Sequence, residues 1–259
     1  MAEEIHLTRE GHIATIVLNA PERMNALGLD MFRGLRRLLA ECERDGDVRA
    51  IVLRGEGGKA LSAGAHIGEF SEWRSSKAKA REYAGISVPA FQALWHCRHP
   101  TIAAIQGLAV GGGLGLAACC DFRVCGRSSR FGVPVKRLGL VEAHDEMAPL
   151  VQKFGANVAL EILVLGEVFG VEDAVRLRLV NKVVEDDKVL DAAYDMARKI
   201  AEGAPLAARW HKKFIYRQLD PRPIAPSEQD EGYDCYDTED FQIGYRAFLA
   251  KQKPTFVGR

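Results

Sequence analysis

The sequence has no net charge: across 259 residues, 35 Lys and Arg offset 35 Asp and Glu. No global field therefore draws the chain onto nucleic acid or an anionic membrane. Aromatic residues make up only 8% of it, and they do not gather with basic residues into a cluster that would bind RNA. There is no apolar run near the roughly eighteen residues that a membrane span requires, and the opening MAEEIHLTRE lacks the basic flank and apolar stretch of a secretion signal. A soluble, untargeted, cytoplasmic protein is the expectation. The six cysteines (Cys42, Cys97, Cys119, Cys120, Cys125, Cys235) include no Cys-x-x-Cys pair, which suggests reduced thiols rather than a disulfide framework. Seven histidines are scattered without ligand spacing, so no metal site is expected. What is present is a composition 47% hydrophobic and 27% charged, enough to bury a substantial core and to exclude a disordered or fibrous chain.

Apolar periodicity predicts strands at Ile13–Leu18, Ala50–Leu53, Ala60–Ser62, Thr101–Ile105, Phe122–Cys125, Phe131–Val135 and Val180–Val184. Met31, Leu35, Leu38, Leu39 and Cys42 fall at helical spacing, and Val88–Cys97 and Leu114–Cys120 also read as helices. Helices alone follow, at 187–202, 205–219 and 238–253. Between Gly68 and Tyr83 the apolar pattern thins, which reads as a partly mobile surface segment. The expected fold class is α/β with a helical C-terminal extension, divided as residues 1–200 and 201–259. The Pro-rich stretch 220–226 is the best linker, and no internal repeat or low-complexity tract is evident.

Three motifs are set aside. Gly113-x-Gly115-x-x-Ala118 resembles a dinucleotide fingerprint, but the strand expected at 131–135 ends in no ribose-binding acid. Ala60-x-Ser62-x-Gly64 resembles a nucleophile elbow without its first glycine, so Ser62 is read as a turn residue. Gly55-Glu-Gly-Gly-Lys59 lacks phosphate-loop spacing. Two glycine-containing turns carry more information: Ser62–Ala65 after one strand, and Gly111–Gly113 after another and opening a helix. They are either unrelated tight turns or two sources of free N–H groups converging on one carbonyl oxygen.

The segments Pro21–Leu27 (PERMNAL), Leu61–Ala65 (LSAGA), Ile105–Gly113 (IQGLAVGGG), Cys120-Asp121, Phe131-Gly132, Leu138–Leu140 (LGL), Gly166, Leu179–Val184 (LVNKVV) and Phe248–Arg259 resemble, in order and spacing, the enoyl-CoA hydratase/isomerase (crotonase) family over essentially the whole chain. The resemblance implies a spiral of ββα units over residues 1–200, a helical oligomerisation region over 201–259, and homotrimers or hexamers made as dimers of trimers. It implies a coenzyme A thioester as substrate, with no permanently bound cofactor and coenzyme A entering only as part of that substrate. By position, the N–H groups of Ala65 and Gly112 would hold the thioester oxygen. Arg23 and the backbone from Ala63 through His66 to Ile67 would lie along the CoA nucleotide, Gly111 would adjoin the substrate, and Lys251 and Lys253 match a basic pair that approaches a CoA phosphate, sometimes from a neighbouring subunit. Asp121 matches a family aspartate and reads as structural.

The chain departs from the family at its acid–base positions. Hydratases of the family use two glutamates, where this sequence has Gly115 and Val135, neither of which accepts a proton. Replacement candidates follow in Leu138–Glu146: Glu142, His144 and Asp145, as base, nucleophile or imidazole partner. The bland reading of this segment is that Asp145 and Glu146 cap the helix running to Phe154. Thioester hydrolysis, decarboxylation or C–C cleavage is thus preferred over simple hydration. The alternatives are a hydratase using a relocated acid such as Glu142, and a catalytically silent acyl-CoA-binding protein.

Overall fold

Ile13–Leu18 is apolar or β-branched throughout and buried at every position, the pattern of a strand covered on both faces. In the computed structural model, which describes residues 3–259, it is β2, following β1 (Ile5–Glu10). Around it run α1 (Leu29–Arg44), β3 (Ala50–Gly55), β4 (Ala60–Ser62), α2 (Phe70–Trp73), α3 (Lys77–Trp95), β5 (Thr101–Ile105), β6 (Leu108–Val110), α4 (Gly112–Cys119), β7 (Phe122–Gly126) and β8 (Arg130–Gly132). The remainder comprises α5 (His144–Phe154), α6 (Ala156–Leu160), α7 (Val171–Arg176), β9 (Lys182–Val184), α8 (Val189–Ala201), α9 (Pro205–Arg217), α10 (Pro226–Asp230) and α11 (Glu239–Ala250).

The strands form two sheets, a six-stranded one ordered β1-β2-β3-β5-β7-β9 and a three-stranded one ordered β4-β6-β8. Among the described strands only β1 and β2 pair antiparallel; β3, β5 and β7 each send their successor into the smaller sheet, so the chain winds as a spiral with one strand per sheet in each turn. α1 buries Met31, Leu35, Leu38, Leu39 and Cys42, the stripe its spacing predicts, and each fully buried leucine contributes about 1.5–3 kcal/mol. The C-terminal helices are tied to the spiral. Arg49 donates to the carbonyls of Ala201 (2.9 Å) and Phe256 (2.7 Å), and Lys212 on α9 pairs with Asp121 at 2.7 Å.

One sequence expectation is corrected and another is filled in. Residues 68–83 lie mostly at the surface, as expected, and a short 3-10 turn, α2 and the first turns of α3 occupy most of them. Tyr83 is buried there, and Ser76 caps α3 by accepting from the Lys79 amide. The strand expected at 131–135 stops at Gly132. Pro134 opens a 3-10 turn, since its missing N–H cannot serve a sheet ladder.

Candidate active site

The two glycine turns meet. Gly64 has φ +101°, and a β-carbon there would lie 3.0 Å from the Val110 carbonyl oxygen and 3.6 Å from the Gly112 nitrogen. Only glycine accepts both the dihedral and the proximity. At Gly113 a β-carbon would fall 2.2 Å from the Ser62 carbonyl oxygen, so the start of α4 crosses directly over the end of β4. Ser62 is fully buried and its Oγ accepts from the Gly64 amide at 3.1 Å, the local turn read from the sequence.

The first turn is clamped by Met24–Leu27. The amides of Ala63, Leu27 and His66 donate to Met24, Gly64 and Leu27 carbonyls at 2.9, 2.7 and 2.9 Å. Asn25 fixes that strip through its side chain, accepting from the Ala20 amide (2.9 Å) and donating to the carbonyls of Glu56 (3.0 Å) and Ala60 (2.8 Å). Among the described residues, the amides of Ala65 and Gly112 donate to no protein acceptor. Gly112 is the first residue of α4, where helix geometry leaves the amide unpaired and the dipole is positive.

Ala65 and Gly112 both line a cavity of about 180 Å³, lined also by Leu27, Phe91, Val135, Glu142 and Glu146 and, from α2 and α3, by Phe70, Arg74, Tyr83 and Ser87. A gap of about 20 Å³ between Gly112, Gly115, Phe91, Glu142 and Glu146 adjoins it. The two glutamates thus border the space beside Gly115, where a β-carbon would lie 3.0 Å from the Phe91 ring. Burial, and then the charge of and hydrogen bonding to Glu146, push the Glu142 carboxyl up to about 7, with Arg74 pulling against them. Glu146 accepts from the Ser87 hydroxyl (3.4 Å) and the Ala143 amide (3.3 Å). Of the two acids expected to cap α5, Glu146 does so, and it also reaches the cavity.

The other sequence candidates are placed as follows. His144 and Asp145 sit exposed on the first turn of α5 and do not line the cavity. Ala63, Ile67 and Gly111 line it. His66 lies on the rim, with Nδ1 3.9 Å from Glu69. Arg23 pairs with Glu4 at 2.6 Å. Lys251 and Lys253 follow α11 and do not line the cavity, and Lys253 is 3.1 Å from Glu202. Glu146, Arg74, Tyr83 and Ser87 were not picked out as site residues from the sequence. The signal available for Glu146 was its spacing of four from Glu142.

The profile of the enoyl-CoA hydratase/isomerase family matches residues 8–259. The chain belongs to that family. In the family it is similar to the short-chain-enoyl-CoA hydratase of Clostridium acetobutylicum, 32% identical with 95% of each chain covered. It is also similar to the crotonyl-CoA hydratase of Syntrophomonas wolfei, 31% identical with 99% of each covered. Among solved structures, an enoyl-CoA hydratase/carnithine racemase from Magnetospirillum magneticum superposes with TM-score 0.97 at 44% identity, covering 100% of this chain and 97% of that one. The family's spiral fold is therefore shared across the full length. Among the described residues, no group of three or more His, Cys, Asp or Glu side chains is arranged to hold a metal, and no helix is long and apolar enough to cross a membrane.

Proposed function

We propose that this chain is an acyl-CoA enzyme that makes and protonates a thioester enolate, with Glu142 and Glu146 taking over the acid–base work absent from Gly115 and Val135. The observation that carries this reading is that Glu142 and Glu146 border the same cavity as the unpaired amides of Ala65 and Gly112, with the Glu142 carboxyl pushed up to about 7 by burial and by Glu146 beside it. The thioester oxygen accepts from those two amides. Negative charge developing on it is stabilised more in the transition state than in the ground state.

Reversible hydration of a 2-enoyl-CoA then balances. Ionised Glu146 takes a proton from water as its oxygen bonds to C3, the C2–C3 π pair shifts into the enolate, and protonated Glu142 gives its proton to C2. The proton gained by Glu146 passes back to Glu142 through the pair, which restores the starting state. A raised carboxyl pKa suits this role, because a group titrating near working pH both gives and takes a proton readily. Hydrolysis through His144 and Asp145 draws no support from their exposed positions. Decarboxylation and C–C cleavage need the same two amides and are separated from hydration by the products. Arg23, His66 and the 63–67 backbone are proposed to follow the CoA moiety. The expected assembly is a homotrimer or a dimer of trimers, in which Lys251 and Lys253 approach a CoA phosphate of the same or a neighbouring subunit.

The test is consumption of crotonyl-CoA, with products identified by mass, in the wild type and in Gly112→Pro. Proline is tolerated at the first position of a helix but has no N–H. A β-carbon at Gly112 would lie 3.0 Å from Leu27 Cδ1, so Gly112→Ala, which has that carbon and keeps the N–H, is the reference, and Gly112→Pro should lose about 10²–10³ in turnover relative to it. Equal turnover in the two variants would remove Gly112 from the mechanism, and release of free acid or CO₂ would replace hydration by hydrolysis or decarboxylation.

A further inference from the structure

The wall of the cavity formed by α2 and α3 is more polar than an aliphatic acyl chain requires. Arg74, just after α2, is the only basic residue among the described residues that line the cavity. Its guanidinium carbon lies 4.8 Å from the centroid of the Phe70 ring and 4.6 Å from that of Tyr83, so the two rings fix the guanidinium and cover it from solvent. The Arg74 Nε and the Tyr83 hydroxyl are both buried and neither has a partner in good hydrogen-bond geometry; they are neighbours, burial raising the Tyr83 phenol and Arg74 pulling against it. Two carboxylates line the same cavity, yet neither pairs with Arg74: Glu146 is held by Ser87 and the Ala143 amide, and Glu142 leans on Glu146. Buried donors without acceptors are costly and uncommon. A guanidinium held flat by aromatic rings with a free N–H edge matches the two oxygens of a carboxylate.

From this geometry we infer that Arg74 and Tyr83 recognise a carboxylate on the acyl group, making the preferred substrate class the CoA monothioesters of dicarboxylic acids. The inference rests on the reading that a thioester occupies the Ala65 and Gly112 amides. Those amides fix one end of the acyl group, and the aromatic-flanked guanidinium meets the other within the same cavity. A methyl-terminated chain of the same length would leave both buried donors unsatisfied, whereas a terminal carboxylate engages them together. Phe70 and Tyr83 are positioning residues for the guanidinium, and Tyr83 also donates its own hydroxyl.

The experiment measures binding rather than turnover, on the full chain, by calorimetry with saturated thioesters that cannot be hydrated. The matched pairs are succinyl- and butyryl-CoA, glutaryl- and valeryl-CoA, and adipoyl- and hexanoyl-CoA, with free CoA as reference. At one chain length at least, the diacid thioester should bind about tenfold or more tightly than its neutral partner. That ratio should collapse in Arg74→Gln, shrink in Tyr83→Phe, and survive in part in Arg74→Lys, which keeps the charge but not the planar fork. Monoacid thioesters binding as well as diacids at every length would overturn the inference while leaving the thioester site standing. A diacid preference that persists in Arg74→Gln would remove Arg74 from the recognition, and equal weakening of free CoA in that variant would reassign Arg74 to a CoA phosphate. Thioesters of both series binding no better than CoA would overturn the inference together with the thioester site. Should Arg74→Gln fail to fold, as judged by its melting curve, the wild-type comparison across the pairs tests the diacid preference, and Arg74→Lys with Tyr83→Phe test the residues: a ratio unchanged in both would overturn the assignment.

Discussion

The absence of glutamate at Gly115 and Val135 is legible in the sequence, and so is the acid-rich run that follows at 142–146. Which of those acids faces the cavity is not legible, because it depends on where α5 begins. With the first helical residue at His144, the side chains of His144 and Asp145 turn outward, while Glu146, one turn beyond Glu142, turns inward. Spacing alone gives the relative phase of two helical residues but not the absolute direction of the first turn. The pair makes a pH prediction. Glu142 ordinarily titrates near 4.5 and here near 7, so the folded protein binds more protons than the unfolded chain between those values. The contribution of this group to stability is fully present below about pH 4.5 and is lost as pH rises toward 7. Glu142→Gln should therefore flatten the fall in melting temperature across that window relative to wild type, as followed by calorimetry. In catalysis the protonated carboxyl is the donor to C2, so turnover should decline above pH 7 with a limb set by Glu142.

At the scale of elements, the sequence shows most of the alternation of strands and helices, because buried strands such as β2 and amphipathic helices such as α1 carry strong periodic signals. It misses α2 and most of α3. The N-terminal half of α3 is rich in Ala, Lys, Arg and Glu, good helix formers, but it carries charge on much of its surface and includes Gly85, so the apolar stripe that marks a helix is missing there. Packing supplies the anchor: Tyr83, Ala90, Phe91 and Leu94 are buried, and Tyr83 and Phe91 lie against Phe32 of α1 at ring-centroid distances of 6.1 and 5.7 Å. The strip at 24–27 makes a second prediction. Asn25→Ala removes three side-chain hydrogen bonds, to Ala20, Glu56 and Ala60, that fix the 24–27 strip against which the Ala63–His66 turn is bonded, leaving buried backbone groups unpaired at a cost of about 1–3 kcal/mol. Denaturant unfolding should show that loss, and kcat should fall with it because the Ala65 amide is displaced; wild-type turnover in the variant would separate the strip from the site.

At the scale of the whole molecule, the sequence identifies Asp121 as structural without saying what it joins. Its carboxylate accepts from the Thr101 amide (2.8 Å) and hydroxyl (3.0 Å) on β5, from Lys212 (2.7 Å) and from the Tyr216 hydroxyl (2.7 Å) on α9. It thereby fastens the C-terminal helices to the larger sheet. Those contacts are separated by roughly ninety residues in sequence, beyond the reach of any local pattern. Asp121→Ala leaves the Lys212 ammonium, only 9% exposed, without its counter-charge. Loss of one partner of such a pair should destabilise the fold by roughly 3 kcal/mol or more, read as a lower urea midpoint. A midpoint within error of wild type would mean that α9 docks without this knot.

The central claim is that Glu142 and Glu146 move protons at the carbon beside a thioester held by the Ala65 and Gly112 amides. Its most direct test is exchange of the C2 protons of butyryl-CoA for deuterium in D₂O, followed by NMR, because exchange reports enolate formation without requiring the natural acyl group. Wild type should exchange these protons, and Glu142→Gln and Glu146→Gln should each slow exchange by about 10²-fold or more. Exchange at the wild-type rate in both variants, or none in a wild type that binds the thioester, would contradict the account.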